Sequence, residues 1–352
     1  MSQKDLLLTD IIDEQKMVLG RKITDRYFQA YPTLEVKYGK IGREKCLEDT
    51  LYHLDQLISS VEVNSQILFN NYLEWVDILL RERHIPTRDL QNHLVVMRAV
   101  LNDTLQPEQS QFVDPYLEEG IRFLQNLIPE SVTYLHTENP LYQESKLYLN
   151  ALLQGDRKEA SRLIDGLVSK KIPIKQIYEY IFQISQYEIG ALWQTNRISV
   201  AQEHFSTAAT QQNMARLYPH IFSTERKGMK LVACSVAGEL HEIGIRMVSD
   251  FFEMEGWDTY YMGANMPASQ LIEMLEEYKA DVLAISVSLS VHIRVAESLI
   301  RNVRQQKQLD RIKIMTGGIP FNLEPNLWKE IGADATAPTA QMAIETAAQW
   351  AQ

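Results

Sequence analysis

His241 lies in the segment Glu239-Leu240-His241-Glu242-Ile243-Gly244, where its surroundings suit metal ligation. An imidazole on the loop after a strand can reach a metal above the sheet. Two groups of small residues follow: Ser286-Val287-Ser288, after 41 intervening residues, and Gly317-Gly318, after a further 28. Serine and glycine let a ligand approach the backbone closely, so both groups suit a slot for a long ligand tail beneath the metal. A second constellation is Trp193, followed after nine residues by Glu203-His204. Taken singly, each feature has an ordinary reading, as a loop histidine, a packed tryptophan or a solvated Glu-His pair. Their joint placement is what points to chemistry.

From 228 to 352, strands expected at 230–236, 258–262, 282–287 and 312–315 alternate with helices at 242–255, 268–278 and 291–305. That alternation predicts a doubly wound parallel sheet whose ligands sit at the carboxyl ends of the strands. His241, Ser286, Ser288, Gly317 and Gly318 then fall on the loops after the first, third and fourth strands. Ahead of the sheet, four helices at 141–154, 157–170, 174–193 and 199–222 are joined by short breaks, which predicts a four-helix bundle over 139–224. Trp193 would end its third helix and Glu203-His204 would open its fourth. A polar, proline-containing stretch at 129–140 reads as a boundary. Residues 1–130 have helical apolar spacing, punctuated at Pro32, Gly39-Lys40 and 84–87. There Tyr72, Trp75 and Leu79 are expected in the core, and His53, His84 and His93 as surface or packing residues rather than ligands of a second chromophore. The architecture expected is α + α/β: an all-helical N-terminal domain, a four-helix bundle and a Rossmann-like (flavodoxin-like) domain at 228–352.

The sheet segment resembles the cobalamin-binding domain of methionine synthase and the base-off mutases, whose motifs are Asp-x-His-x-x-Gly, Ser-x-Leu and Gly-Gly at closely similar separations. The resemblance implies His241 as the lower axial cobalt ligand, replacing the cofactor's own dimethylbenzimidazole, and Glu239 as the carboxylate behind it. Gly244, Ser286, Ser288, Gly317 and Gly318 would complete the cofactor site and its tail channel. Glu239 stands where the motif has Asp, and Ser288 where it has Leu. The bundle's Trp-x9-Glu-His pattern resembles the CarH/LitR family of adenosylcobalamin photoreceptors, which also carries Glu before the cobalt-binding His. Residues 256–267 are similar to that family's second strand and following loop. This second resemblance implies Trp193 against the 5′-deoxyadenosyl group, Glu203 bonded to its ribose or adenine, and His204 helping to build the pocket. Gln194 stands where the best-known members have a histidine, so a second axial histidine after illumination would have to come from elsewhere in the bundle.

Composition bounds these implications. The 352 residues are 45% hydrophobic and 23% charged, as in ordinary soluble globular proteins. Two cysteines, Cys46 and Cys234, exclude a disulfide scaffold and fit a reducing compartment. The formal charge is −11, and residues 1–130 hold 14 Lys/Arg against 21 Asp/Glu, which argues against direct DNA binding there. No window is apolar enough for a membrane span or signal peptide, so a cytoplasmic protein is expected. The expected function is a cobalamin-binding signalling protein, an adenosylcobalamin light sensor rather than an enzyme. It would act on a protein partner or self-associate through the N-terminal domain or bundle, as the loss of the adenosyl group shifts the bundle. The alternative is a corrinoid carrier protein of a methyltransferase system, binding methylcobalamin. A mutase would need a barrel of about 250 residues for which no length remains.

Overall fold

The computed structural model describes residues 3–128, 132–222 and 225–350, and the chain divides into two compact units, 1–129 and 130–352. The boundary expected at 130 and the expected end of the bundle at 224 lie outside the described residues. Among the described residues no helix is long and apolar enough to cross a membrane.

The N-terminal unit is built from α1 (Gln3–Ala30), α2 (Thr33–Glu62), α3 (Gln66–Arg81), α4 (Thr87–Thr104) and α5 (Pro107–Asn126). Pro32 separates the first two helices, and α2 bends where Gly39 takes a left-handed conformation, φ 62°. Ser65 caps α3 by accepting from Leu68 N, and Leu73, Val76 and Leu80 then repeat at helical spacing on its buried face. Gly120 of α5 brings that helix close to α3, since a Cβ there would come within 2.9 Å of atoms of both Leu73 and Phe69. Trp75, expected in the core, is 40% exposed, because the buried stripe of α3 runs through 73, 76 and 80 instead.

His53 and His93 both lie inside this core. His53 Nδ1 is 2.6 Å from the Tyr72 hydroxyl, His93 Nε2 is 2.9 Å from Thr50 Oγ1, and the two rings stand 5.3 Å apart. Nδ1 of His93 is buried without a hydrogen-bond partner. Burial disfavours the charged imidazolium, so the pKa of His53 falls and that of His93 drops to about 4.

The second unit begins with a strap. Thr133 Oγ1 and Tyr134 N donate to the buried carboxylate of Glu188 at 3.0 and 2.7 Å, and Asn139 Nδ2 donates to Tyr180 O at 2.9 Å. The helices beneath it are α6 (Tyr142–Leu153), α7 (Arg157–Ser169), α8 (Ile174–Ile177), α9 (Ile184–Gln194) and α10 (Val200–Arg216), with a short α11 (Tyr218–Ile221). Helices α8 and α9 form one rod joined by a π-helical stretch, Tyr178–Gln183. The expected third helix is therefore not uniformly α-helical. Its wider turn leaves the Tyr180 carbonyl for the side chains of Asn139 and Ser145. The expected fourth helix breaks at Leu217, just before Pro219, which lacks the N–H needed to continue it.

The sheet follows, with β1 (Lys230–Val236), β2 (Asp258–Met266), β3 (Val282–Ser286), β4 (Lys313–Gly317) and β5 (Ala335–Thr336), all parallel in the order β2-β1-β3-β4-β5. Its helices are α12 (Ile243–Met254), α13 (Ala268–Tyr278), α14 (Ile293–Arg304), α15 (Ile319–Leu323), α16 (Leu327–Glu330) and α17 (Ala340–Ala348). The α + α/β architecture holds, with one more strand than expected: β5 is two residues long, too short to give an apolar run. Strand β2 continues four residues further than expected through left-handed Gly263 and Asn265. The strand order reverses between β1 and β3, which in sheets of this order is where ligands bind.

The buried histidines make the N-terminal unit acid-sensitive. A His pKa depressed in the fold means that the unfolded chain takes up protons first, so stability is complete above pH ~6.5 and is lost as pH falls toward about 4. For His93 this amounts to roughly 2–3 kcal/mol at the lower limit. Hydrogen exchange in α2 and α4, corrected for the intrinsic pH dependence, should show protection falling across that window. Unchanged protection would contradict the burial of neutral imidazoles.

Candidate functional site

The site is assembled at the carboxyl ends of β1, β3 and β4. Strand register places Ser235 beside Ser286 and Ser286 beside Gly317, giving a row of small residues across the sheet edge. After β1 the chain turns at Gly238, φ 85°, where a Cβ would sit 3.1 Å from Nε2 of His292. The loop is then tied on both sides. Asn265 of β2 donates its N–H to Glu239 O at 3.0 Å and accepts from Gly238 N at 2.8 Å, and Ser235 Oγ donates to His241 O at 2.9 Å.

At its centre is Glu239, which has no exposed surface. Its Oε1 accepts from His241 Nδ1 at 2.6 Å and His241 N at 3.0 Å. Its Oε2 accepts from Ser288 N at 2.8 Å, Leu289 N at 3.1 Å and His292 Nδ1 at 3.1 Å. Burial by itself would raise the carboxyl pKa, but the donors from His241 and His292 outweigh it and hold the group well below the usual carboxylate range. An ionised carboxylate is an acceptor only, so each facing Nδ1 carries its proton. The His241 imidazole is 63% exposed with its Nδ1 occupied, which leaves Nε2 as the nitrogen available to a metal. The hydrogen bond to Glu239 raises the pKa of His241 against the opposing effect of burial, and the negative charge of Glu203 acts in the same direction.

The glycines divide into two kinds. At Gly318, φ 114°, a Cβ would lie 1.9 Å from Val287 O, so close backbone packing between the β3 and β4 loops requires glycine. Gly317 has one neighbour at 3.4 Å, and Gly244 has open space where a side chain would be. On the same loops Leu240, Leu289 and Ile319 are exposed, at 72%, 41% and 54%. An exposed imidazole nitrogen, an apolar rim and glycines with room above them fit a flat macrocycle lying on the sheet edge.

On the bundle, Trp193 is partly buried against the apolar core near the end of α9. Glu203, in the first turn of α10, accepts from Thr207 Oγ1 at 3.0 Å and pairs with His204, which is 75% exposed. Next to them Gln211 reaches across to Glu242, donating at 2.6 Å, while Tyr261 OH and Ala264 N donate to the other oxygen of that carboxylate. Tyr178 OH donates to the buried Asp250 at 2.7 Å and Arg246 Nη2 to Tyr218 OH at 3.2 Å. The bundle thus meets α12 through these polar side chains and through an apolar core shared with the sheet domain, where the Tyr178 and Phe251 rings stand 6.0 Å apart. Sequence reasoning missed Ser235, Asn265, Gln211 and His292, which fall outside any short motif and become neighbours of the site only through folding.

Residues 229–347 match a family described as B12 binding domain, and residues 145–218 match a second family of the same description. A corrinoid protein of Desulfitobacterium hafniense is 25% identical over 205 residues, 56% of this chain and 92% of that protein. Dimethylamine corrinoid protein 3 of Methanosarcina acetivorans is 24% identical over 179 residues, 50% of this chain and 83% of that protein. The structure of the Methanosarcina barkeri monomethylamine corrinoid protein has the same fold, with TM-score 0.53 and 20% identity, covering 59% of this chain and 99% of that one. Residues 145–347 carry a cobalamin-binding module, and the cofactor is cobalamin.

These relatives overturn the expectation of an adenosylcobalamin light sensor, since they are corrinoid proteins and dimethylamine corrinoid proteins. The physical reason for the error is that Trp-x9-Glu-His is weakly specific. A tryptophan ending one bundle helix and an acidic residue opening the next also arise from bundle packing and first-turn charge preference, so the pattern does not select an adenosyl ligand.

The two glycines should respond differently to substitution. Gly318→Ala combines a left-handed conformation with a backbone overlap and should destabilise the second unit by roughly 2–4 kcal/mol, read as a lowered unfolding temperature. Gly317→Ala should leave that temperature nearly unchanged; equal losses for both would refute the distinction.

Proposed function

We propose that this chain is a corrinoid carrier protein of a methyltransferase system, holding cobalamin between its helix bundle and sheet domain and presenting it in turn to partner enzymes. The observation that carries the reading is the His241-Glu239 pair at the β1/β3 switch point, within a module whose curated relatives are corrinoid proteins. Bound cobalamin supplies a cobalt centre able to accept and release a methyl group. The chain's own residues supply everything around it.

His241 offers Nε2 as the lower axial ligand, and Glu239 fixes its tautomer by accepting the Nδ1 proton. Ser286, Ser288, Gly317 and Gly318 border the slot for the nucleotide tail, and Gly244 leaves clearance beside the ligand. Ser288, standing where the related motif has leucine, supplies its backbone N–H to Glu239. On the bundle side Trp193 excludes water from the upper face, and Glu203 and His204 form its polar border. The chain itself is a carrier and not a catalyst, and it works in the cytoplasm. The acidic N-terminal unit serves as the interaction module through which it meets a protein partner or a second copy.

The test is reconstitution of the full chain with hydroxocobalamin, reduction, and addition of a simple methyl donor such as methyl iodide in the dark. The expected product is a protein-bound methylcobalamin spectrum with histidine ligation that persists through gel filtration. A cofactor that cannot be methylated while bound would refute the carrier role. His241→Ala should weaken cobalamin retention by about 10–100-fold and remove the histidine signature; an unchanged spectrum would remove His241 from the axial position.

A further inference from the structure

Glu239 is held by two imidazoles, and the second has no place in the motif that identifies the first. His292 sits in the turn between β3 and α14, 16% exposed in its side chain, and directs Nδ1 at Glu239 Oε2 from 3.1 Å. Two backbone amides, Ser288 N and Leu289 N, already fix the position of that oxygen. The third donor is therefore not required to orient the carboxylate. Its effect is on charge: every N–H on Oε2 withdraws electron density from Oε1, the oxygen bonded to His241 Nδ1 at 2.6 Å. The more weakly Oε1 accepts, the less the His241 ring behaves as an imidazolate and the weaker a donor its Nε2 becomes.

We propose that His292 is a positioning residue acting through Glu239, a charge divider that limits how strongly His241 donates to cobalt. This rests on cobalamin being bound through His241. With His292 in place, the axial bond is strong enough to retain the ligand but weak enough to let the cobalt change oxidation state. Without it, Glu239 gives more of its charge to His241, and the cobalt state that keeps the axial nitrogen is stabilised relative to the reduced state that lacks it.

The experiment compares the full chain with His292→Phe, which keeps a ring but has no N–H, and His292→Asn, which keeps a donor. Each is loaded with cobalamin, checked for axial nitrogen by electron paramagnetic resonance of the Co(II) form, and titrated for its Co(II)/Co(I) midpoint. Phe should move the midpoint to more negative potential, changing the Co(II)/Co(I) ratio at fixed potential about tenfold, or ~59 mV for one electron. Asn should restore most of it. If Phe does not fold, Leu replaces it. An unchanged midpoint, a shift that Asn does not restore, or loss of the axial nitrogen in the Phe protein each overturns the proposal. Absence of axial nitrogen in the unmodified protein would instead remove its premise, the ligation by His241.

Discussion

A fully buried, ionised carboxylate is the constraint around which the sheet domain is arranged. Removing such a group from water costs several kcal/mol unless donors replace its hydration. Glu239 has five, drawn from its own loop and from the turn after β3. Those two segments are neighbours only because β3 lies beside β1 in the sheet. The loop must also fold back sharply, which explains left-handed Gly238 against the His292 ring and the clamp from Asn265. Fold topology, loop conformation and imidazole tautomer are thus parts of one electrostatic solution.

The bundle is joined to this arrangement in a different way. Along α12 the contacts include Gln211–Glu242, Tyr218–Arg246 and Tyr178–Asp250, and Arg246 Nε is buried without a hydrogen bond, 4.0 Å from Asp250 Oδ2. Burial pushes the Asp250 carboxyl up to about 6 even as Tyr178 donates to it. These polar contacts border an apolar core that runs from the bundle into the sheet domain, with Tyr178 and Phe182 in one cluster with Phe251 and Phe252, so apolar burial holds the two together as well as hydrogen bonds.

Much of this was legible in the sequence. The alternation of apolar runs and amphipathic segments gave the parallel sheet, and the spacing of His241, Ser286 and Gly317 placed three loops at one edge, because each feature is local to a strand end. Gly318 was singled out for a ligand slot, and the close packing of its backbone against Val287, which by itself requires glycine, was not legible because it lies between two segments. His292, Asn265 and Ser235 were invisible because their roles exist only across chain segments. His53 and His93, expected as surface or packing residues, are packing residues, and which groups they meet, Tyr72 and Thr50, was set only by the pairing of helices. The misreading of function came from the bundle, where Trp193 and Glu203-His204 satisfy a pattern that ordinary helix ends also satisfy.

The π-helical stretch at Tyr178–Gln183 bears on how this chain can be aligned with others. A π turn accommodates an extra residue, and in an α-helix one residue corresponds to about 100° of rotation. Everything C-terminal to the stretch, Trp193 included, is therefore rotated relative to where a straight α-helix counted from Ile174 would put it. The Trp-to-Glu-His interval lies wholly downstream and is unaffected. A relative without the widened turn would present its corresponding face only if its sequence were one residue shorter there. A gap between 178 and 183 in a pairwise alignment would then mark preserved phase rather than divergence.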